Sequence, residues 1–190
     1  EFNGDALDAT KWYDHHPRWK GRPPARFMPE NVSVRGGNLR LTNGTLDEPI
    51  GEFTLGGAAV VSKTVGAHYG YYECSQRASK IRMSSTFWMS NGNEAGPDPC
   101  SGDRYSQELD IQEAVGGADA GSSFRNSMHS NTHYWYTDCN GNRTTYSAGS
   151  QIPLERGEVS DTFHVYAAHW KNANSADLYL DGKYGNDITF

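Results

Sequence analysis

The stretch NVSVRGGNLRLTN, residues 31–43, decides the fold class of this chain. Two short runs in it alternate apolar and polar side chains, as strands with one buried face do. Gly36 and Gly37 separate the runs, and a Gly-Gly pair in this position predicts a tight β-hairpin. No long segment elsewhere shows the 3.6-residue apolar period of a helix. The sequence therefore predicts an all-β fold, a sandwich or barrel with Greek-key or jelly-roll connections.

Further short runs on both sides of this hairpin have the composition of strands. They are AAVVSK (58–63), YGYYECSQRAS (69–79), STFWMS (85–90), ELDIQEAV (108–115), NSMHSNTHYWY (126–136), FHVYAAHW (163–170) and ADLYLDG (176–182). Two connections, Asn91–Ser106 and Thr137–Ser150, exceed hairpin length, and loops that long in a compact domain are commonly functional. Without repeats or a low-complexity linker, residues 1–190 are predicted to form a single domain.

Composition and charge exclude two classes of partner. The net charge of the 190 residues is -6, whereas a nucleic-acid binder usually presents a basic face. There is no apolar run of about 18 residues, so no membrane-spanning helix is expected. With 5 Trp and 11 Tyr in a polar chain, the composition fits a protein that stacks aromatic rings on sugars, although both residues also pack in ordinary sheets.

Three carboxylates lie close together in YSQELDIQEAVGG, residues 105–117. On a regular strand Glu108 and Asp110 share one face and Glu113 points to the other. A β-bulge at Ile111-Gln112 would insert one extra residue and bring Glu113 back to the face of the first two acids. Two glutamates on one face supply the nucleophile and the general acid of a retaining glycosidase.

The spacing of the three acids alone leaves two other interpretations open. They are a solvated acidic strand edge and a calcium site built from carboxylates. A metal pair formed by His129 and His133 is not expected, because no third ligand follows at metal spacing. Cys100 and Cys139 lie in polar loops and form either a disulfide, which would indicate an oxidising compartment, or two unpaired thiols.

The chain resembles the family 16 glycoside hydrolases, in the branch that cuts red-algal galactans. The resemblance rests on ELDIQEAVG together with segments in the same order along nearly the whole chain. These are EFNGDALDATKW, WKGRPPARF, PENVSVRGGNLRLT, SKTVGAHYGYYECSQRAS, SSTFWMS, FHVYAAHW and LYLDGK. It implies a concanavalin-like β-sandwich of jelly-roll type with a concave substrate cleft. No counterpart of the family's final strands is found, so we expect a catalytic domain truncated at both ends, with its C-terminal strands missing.

Carried over to this sequence, the resemblance implies catalytic roles for the three acids. Glu108 corresponds to the nucleophile, Asp110 to its helper and Glu113 to the general acid/base. Such enzymes retain configuration through a covalent glycosyl-enzyme intermediate. The family has a regular and a bulged form of the motif. The bulged form, with its extra residue, indicates the bulged members, including the galactanases, and not the plant-type xyloglucan enzymes.

The resemblance also suggests residues that bind substrate. Trp88 corresponds to a tryptophan that stacks on a sugar next to the cleaved bond, and His133 and His164 to positions that hold a sugar hydroxyl. In the cationic stretch HHPRWKGRPPARF, Trp19 is expected to stack a galactose and Arg22 to bind a hydroxyl or a sulfate, because a guanidinium donates two parallel hydrogen bonds. Each of these residues also has a purely structural interpretation. Trp88 would be a core residue, the two histidines would fill hydrogen-bonded positions in the sandwich, and the cationic stretch would be a solvated loop.

The resulting prediction is an endo-acting retaining hydrolase of β-1,4 linkages in agarose. A β-porphyranase acting on sulfated porphyran is the alternative, and a non-catalytic lectin-like module is a more remote one. The partner is a red-algal galactan polysaccharide, and we expect a secreted monomer. The chemistry requires no cofactor and no catalytic metal, while the family resemblance allows a structural calcium ion near the termini.

Overall fold

The computed structural model describes residues 2–92, 94–96, 100 and 102–190. The chain forms two compact units, Glu1–Ala67 and His68–Phe190. Nearly all regular structure in both units is β-strand, which confirms the all-β prediction. In the described residues no helix has the length and apolar character needed to cross a membrane.

In residues 2–67 the first unit forms seven short strands and one 3-10 turn at Pro29–Asn31. The strands are β1 (Trp12–Tyr13), β2 (Ala25–Phe27), β3 (Val32–Arg35), β4 (Asn38–Leu41), β5 (Gly44–Ile50), β6 (Phe53–Gly57) and β7 (Val61–Ser62). β3 and β4 form the predicted hairpin. Gly36 and Gly37 have φ angles of 61° and 75°, a conformation that a two-residue turn of this kind requires and that glycine adopts without strain.

The described residues of the second unit form nine strands and one four-residue helix. They are β8 (Gly70–Gln76), β9 (Ser85–Ser90), β10 (Glu94–Ala95), β11 (Arg104–Ala114), α1 (Ser123–Asn126), β12 (Ser127–Thr137), β13 (Arg143–Pro153), β14 (His164–Asn172), β15 (Ser175–Leu180) and β16 (Lys183–Thr189). One antiparallel sheet has the order β10-β11-β12-β13, with β9 also paired to β11. The other has the order β16-β15-β14-β8.

The two sheets of the second unit pack face to face over one apolar core. Leu109, Ile111 and Met128 enter this core from the first sheet, and Tyr166 and Leu178 enter it from the second. Removal of such side chains from water is the main favourable contribution to folding. The arrangement is a β-sandwich, and the opposite face of the β11 sheet remains for polar side chains.

The predicted loop Thr137–Ser150 is wrong over most of its length. β12 runs to Thr137, and β13 begins at Arg143, which leaves a turn of residues 138–142. β13 was not predicted because most of its side chains are polar and exposed. The apolar alternation of a half-buried strand is therefore absent from its sequence. The other predicted loop, Asn91–Ser106, is also partly wrong, because Glu94–Ala95 form β10 and β11 begins at Arg104. Residues 93, 97–99 and 101 of that loop lie outside the described residues.

A disulfide joins the two cysteines that were predicted to lie in polar loops. Cys100 and Cys139 are bonded, with a Cα–Cα distance of 5.7 Å. The bond connects the segment before β11 to the turn between β12 and β13. The open choice between a disulfide and two free thiols is therefore resolved in favour of the disulfide.

Candidate active site

A β-bulge in β11 brings the third acid into phase with the other two. Asp110 is the partner of Trp88 on β9, and the next paired residues are Gln112 and Phe87. Ile111 is therefore the extra residue, as the sequence predicted. Ile111 and Gln112 are both fully buried, so two consecutive side chains face the core. Alternation then resumes, and Glu113 lies on the face of the earlier acids.

Buried polar side chains replace the backbone pairing that the bulge interrupts. The β11–β12 register ends at Asp110. Beyond it, the Ser130 hydroxyl donates to the carbonyl of Ile111 at 2.7 Å, and the Gln112 Oε1 accepts from the backbone amide of His129 at 2.8 Å. The Gln112 amide also donates to the Ser127 carbonyl at 3.4 Å. Buried backbone groups need partners, and these two side chains supply them.

Asp110 lies in the middle of the acid group and is nearly excluded from water. Only 5% of its surface is exposed. Burial, followed by the charges of Glu108 and Glu113, raises the pKa of Asp110 to about 8 from its ordinary value of 3.8. Both causes disfavour the charged carboxylate. The protonated, neutral form of Asp110 is therefore favoured at neutral pH.

Glu113 is held by an amide on the neighbouring strand. The Asn131 Nδ2 donates to Glu113 Oε2 and lies 3.4 Å from His129 Nδ1. The His129 ring stacks on Phe124 with centroids 3.9 Å apart, and burial lowers the pKa of His129 against the opposing effect of Glu113. The carboxyl of Glu113 thus faces a neutral imidazole and an amide donor, without a lysine or arginine partner among the described ion pairs.

Trp88 shares the face of the acids. It is the partner of Asp110 across the β9–β11 ladder, and directly opposed residues of an antiparallel pair point to the same side. Its neighbours Phe87 and Met89 pack on the sandwich core. Because side chains alternate along a strand, Trp88 points away from the core that Phe87 and Met89 face. The alternative of a core Trp is therefore not supported.

The two predicted histidines occupy different sheets. His133 is the partner of Glu108, and its Nε2 lies 3.5 Å from Asp110 Oδ2. His164 begins β14 in the other sheet, where its Nδ1 lies 2.8 Å from Asp181 Oδ2. The structure brings His133 to the acids and does not bring His164 to their strands.

Trp19 and Arg22 both lie in the first unit. Trp19 is 39% exposed and meets Phe27 edge to face, with centroids 5.1 Å apart. It helps to line a depression of about 230 Å³ together with Lys20 and Arg26. Arg22 is exposed on the adjoining turn and does not line that depression.

Besides the predicted His133, β12 carries residues of the site that sequence reasoning missed. β12 places His129, Asn131, His133 and Trp135 on the acid side, alternating with buried Met128, Ser130 and Thr132. The His133 and Trp135 rings stack at 5.3 Å with an interplanar angle of 12°. The signal was the period of two in SMHSNTHYW, where every second residue is aromatic or carries an amide or imidazole.

One group of potential metal ligands is present in the described part of the chain. Donor atoms of Glu108, Asp110 and His133 lie within 4.8 Å of one another. Two carboxylates and one imidazole do not match the six to eight oxygen ligands that calcium takes. The structural calcium expected near the termini stays a prediction.

Comparisons with known proteins show which family the chain is similar to. The family model for the GH16 domain of β-porphyranases A–D matches residues 1–190. β-Porphyranase E of Zobellia galactanivorans is 45% identical over 185 residues, which cover 97% of this chain and 64% of that protein. A β-agarase of Phocaeicola plebeius is 27% identical over 194 residues, covering 95% of this chain and 58% of that protein.

A solved structure shows the same fold. The crystal structure of a β-porphyranase from the human gut bacterium Bacteroides plebeius superposes with a TM-score of 0.88 at 40% identity, over 100% of this chain and 70% of that one. The sandwich is therefore the jelly roll of these enzymes, without a closed barrel. The chain spans less than two thirds of the length of the Zobellia relative. It belongs to glycoside hydrolase family 16, in the group represented by the β-porphyranase A–D domain.

Proposed function

We propose that this chain carries the catalytic machinery of an endo-acting, retaining β-porphyranase. The observation that carries the proposal is the bulge at Ile111, which aligns Glu108, Asp110 and Glu113 on one face of one strand. A pure binding module has no need of three crowded carboxylates, whose mutual repulsion is unfavourable. A retaining glycosidase needs two of them in opposite protonation states.

In this mechanism Glu108 attacks the anomeric carbon as a carboxylate. Glu113 donates a proton to the departing glycosidic oxygen, and a covalent glycosyl-enzyme forms. Glu113 then takes a proton from the water that attacks this intermediate, which releases the sugar with its configuration retained.

Asp110 supports this division of roles. As a protonated acid it reduces the number of negative charges in the site and offers a donor that can orient the nucleophile. A neutral Asp110 leaves one negative charge fewer beside Glu108, the carboxylate that acts as nucleophile. Trp88 provides an aromatic surface beside Asp110 for a sugar ring.

Porphyran is the preferred substrate in this proposal, ahead of agarose. The sequence alone ranked agarose first. The 45% identity to a β-porphyranase against 27% to a β-agarase supports the opposite order. Agarose hydrolysis is therefore kept as the second candidate, and a lectin-like module as a more remote third. The Cys100–Cys139 disulfide favours action outside the cell.

The test is product analysis with the purified full-length protein. Porphyran and agarose are incubated separately, products are sized by mass spectrometry, and Glu108→Gln is run in parallel. Sulfated oligosaccharides from porphyran, absent with the variant, are the expected result. Cleavage of agarose alone would make the protein an agarase. Binding without cleavage of either polymer would favour the lectin-like module.

A further inference from the structure

A second depression, of about 350 Å³, lies on the β11 sheet. It is lined by Arg104, Ser106, Trp135, Thr137 and Arg143. Thr137 is the Cα partner of Arg104 on β11 and of Arg143 on β13. The two arginines therefore flank one threonine on the same face, with their Cα atoms about 10 Å apart across three strands. Arginine side chains are long enough to converge on a single group from that separation.

This depression continues the surface that carries the acids. Ser106 precedes Glu108 by one pleat of β11, and Trp135 follows His133 by one pleat of β12. Residues two apart on a strand share a face. Arg104 and Glu108 are about 13 Å apart along the strand, a distance that a short oligosaccharide covers.

The two guanidinium groups have no acidic partner in the described residues. Neither Arg104 nor Arg143 takes part in any ion pair that the described part of the chain forms, and both are exposed. By contrast, Arg82 pairs with Asp119 and Arg125 with Glu158. In a chain of net charge -6, two arginines without an acidic partner among the described residues form a local positive site on one concave surface.

We propose that Arg104 and Arg143 bind the sulfate ester of a galactan whose sugar rings extend from the acids across Trp135. Each guanidinium donates parallel hydrogen bonds to two sulfate oxygens. The hydroxyls of Ser106 and Thr137 add neutral donors, and the Trp135 ring supplies an apolar platform for a sugar. The inference rests on the proposed porphyranase function and names the residues that recognise the charge of the substrate.

From the sequence, Arg22 was predicted to bind a hydroxyl or a sulfate of the substrate. Arg22 lies outside the depression of its own unit, whereas Arg104 and Arg143 line a concave site with hydroxyl donors and a Trp. A direct comparison of variants at these positions therefore distinguishes the two assignments.

The experiment compares Arg104→Gln, Arg143→Gln, their combination, Arg22→Gln and Arg156→Gln in the full-length protein. Arg156 is an exposed arginine outside both depressions and serves as the matched control. kcat/KM is measured on porphyran and on chemically desulfated porphyran. In parallel, the Glu108→Gln protein, with and without the arginine changes, is titrated with a sulfated oligosaccharide, its desulfated form and inorganic sulfate.

The expected loss on porphyran is about 10- to 100-fold for each of Arg104 and Arg143, the range for a lost charge-assisted hydrogen bond. On desulfated porphyran, the Arg104 and Arg143 variants should have the same kcat/KM as wild type. Arg156→Gln should behave as wild type on both substrates. Equal losses on both substrates would indicate a structural role and overturn the proposal, as would a sulfate-dependent loss confined to Arg22→Gln.

The titrations separate failure of this inference from failure of the proposed function. If wild type cuts only agarose, the porphyranase proposal fails. The sulfate site then stands only if the sulfated oligosaccharide binds the Glu108→Gln protein more tightly than the desulfated one, and if the arginine changes abolish that difference. Equal affinity for both oligosaccharides would end the proposal whatever the turnover. Binding of inorganic sulfate without preference for the sulfated sugar would indicate an adventitious anion site only and would also overturn it.

Discussion

The two halves of β11 present their acids on the same face but are fixed by different means. From Arg104 to Asp110, every residue has a partner on β12. From Gln112 to Ala114, β11 is paired only with β9. On the other side, the side chains of Ser130 and Gln112 provide the hydrogen bonds. The first half is held by a regular sheet, and the second by a few buried polar groups. The position of Glu108 is therefore a property of the fold, whereas that of Glu113 depends on particular side chains.

The largest effect is expected from removing the acid of each half in turn. Glu113→Ala should lower kcat on the polysaccharide by about 10²- to 10⁴-fold, the range for general acid–base catalysis. Glu108→Ala should reduce turnover to background because no covalent intermediate forms. The loss for Glu113→Ala should be smaller on an aryl glycoside, whose leaving group needs little protonation.

Azide distinguishes the two roles. In Glu113→Ala it should replace water at the glycosyl-enzyme and yield a β-glycosyl azide. In Glu108→Ala it should take the place of the missing carboxylate and yield the α-anomer. NMR of the products gives the anomer, and the same anomer from both variants would contradict the assignment of the two glutamates.

The next effect concerns Asp110, at the junction of the two halves. Its pKa is raised to about 8 in the folded protein, against an ordinary value near 3.8 when unfolded. Between these values the folded state holds one more proton, so the free energy of unfolding falls as pH rises. This contribution is fully present below about pH 4 and is lost as the pH passes about 8.

Asp110→Asn should remove that pH dependence. At about 1.4 kcal/mol per pH unit, the stability of wild type relative to the variant should fall by up to about 4 kcal/mol between pH 5 and 8. Urea unfolding at pH 5, 6.5 and 8 measures the difference. Asp119→Asn, at an exposed aspartate, is the control, and parallel curves for wild type and Asp110→Asn would show that the folded state does not raise this pKa.

Sequence reasoning reached the features that local pattern controls. The Gly36-Gly37 hairpin, the bounds of β9 and the extra residue at Ile111 were all predicted from neighbours along the chain. In each case the backbone period and a single local signal determine the outcome. Glu108 and Glu113 belong to this class because both lie on one strand.

Features that depend on strand register were missed. Arg104 and Arg143 flank Thr137 only because of the register of the three strands, and β13 itself lacks the apolar alternation that identifies a strand. By contrast, Arg22 was predicted as a substrate-binding residue because the positive charges around it are close together in the sequence. Ser130 and Gln112 were missed because a buried polar side chain has no sequence signature until its backbone partner is known.

The smallest effect tests the side chains that hold the second half of β11. Gln112→Met keeps the length of the side chain but leaves the amide of His129 without its acceptor, and Ser130→Ala removes the donor to Ile111. Each should lower the free energy of unfolding by about 1–3 kcal/mol, the penalty for an unsatisfied buried group.

Gln107→Met is the matched control for these variants, because Gln107 is exposed on the regular half of the same strand, and a surface change of this kind should stay within about 0.5 kcal/mol. If the side chains also position the acid/base, kcat should fall in both buried variants while KM is kept, and the acidic and basic limbs of the pH–rate profile should move. A loss of stability with unchanged kcat would mean that the β9 ladder and Asn131 position Glu113 without these two side chains, and that the two halves of β11 are held equally well for catalysis.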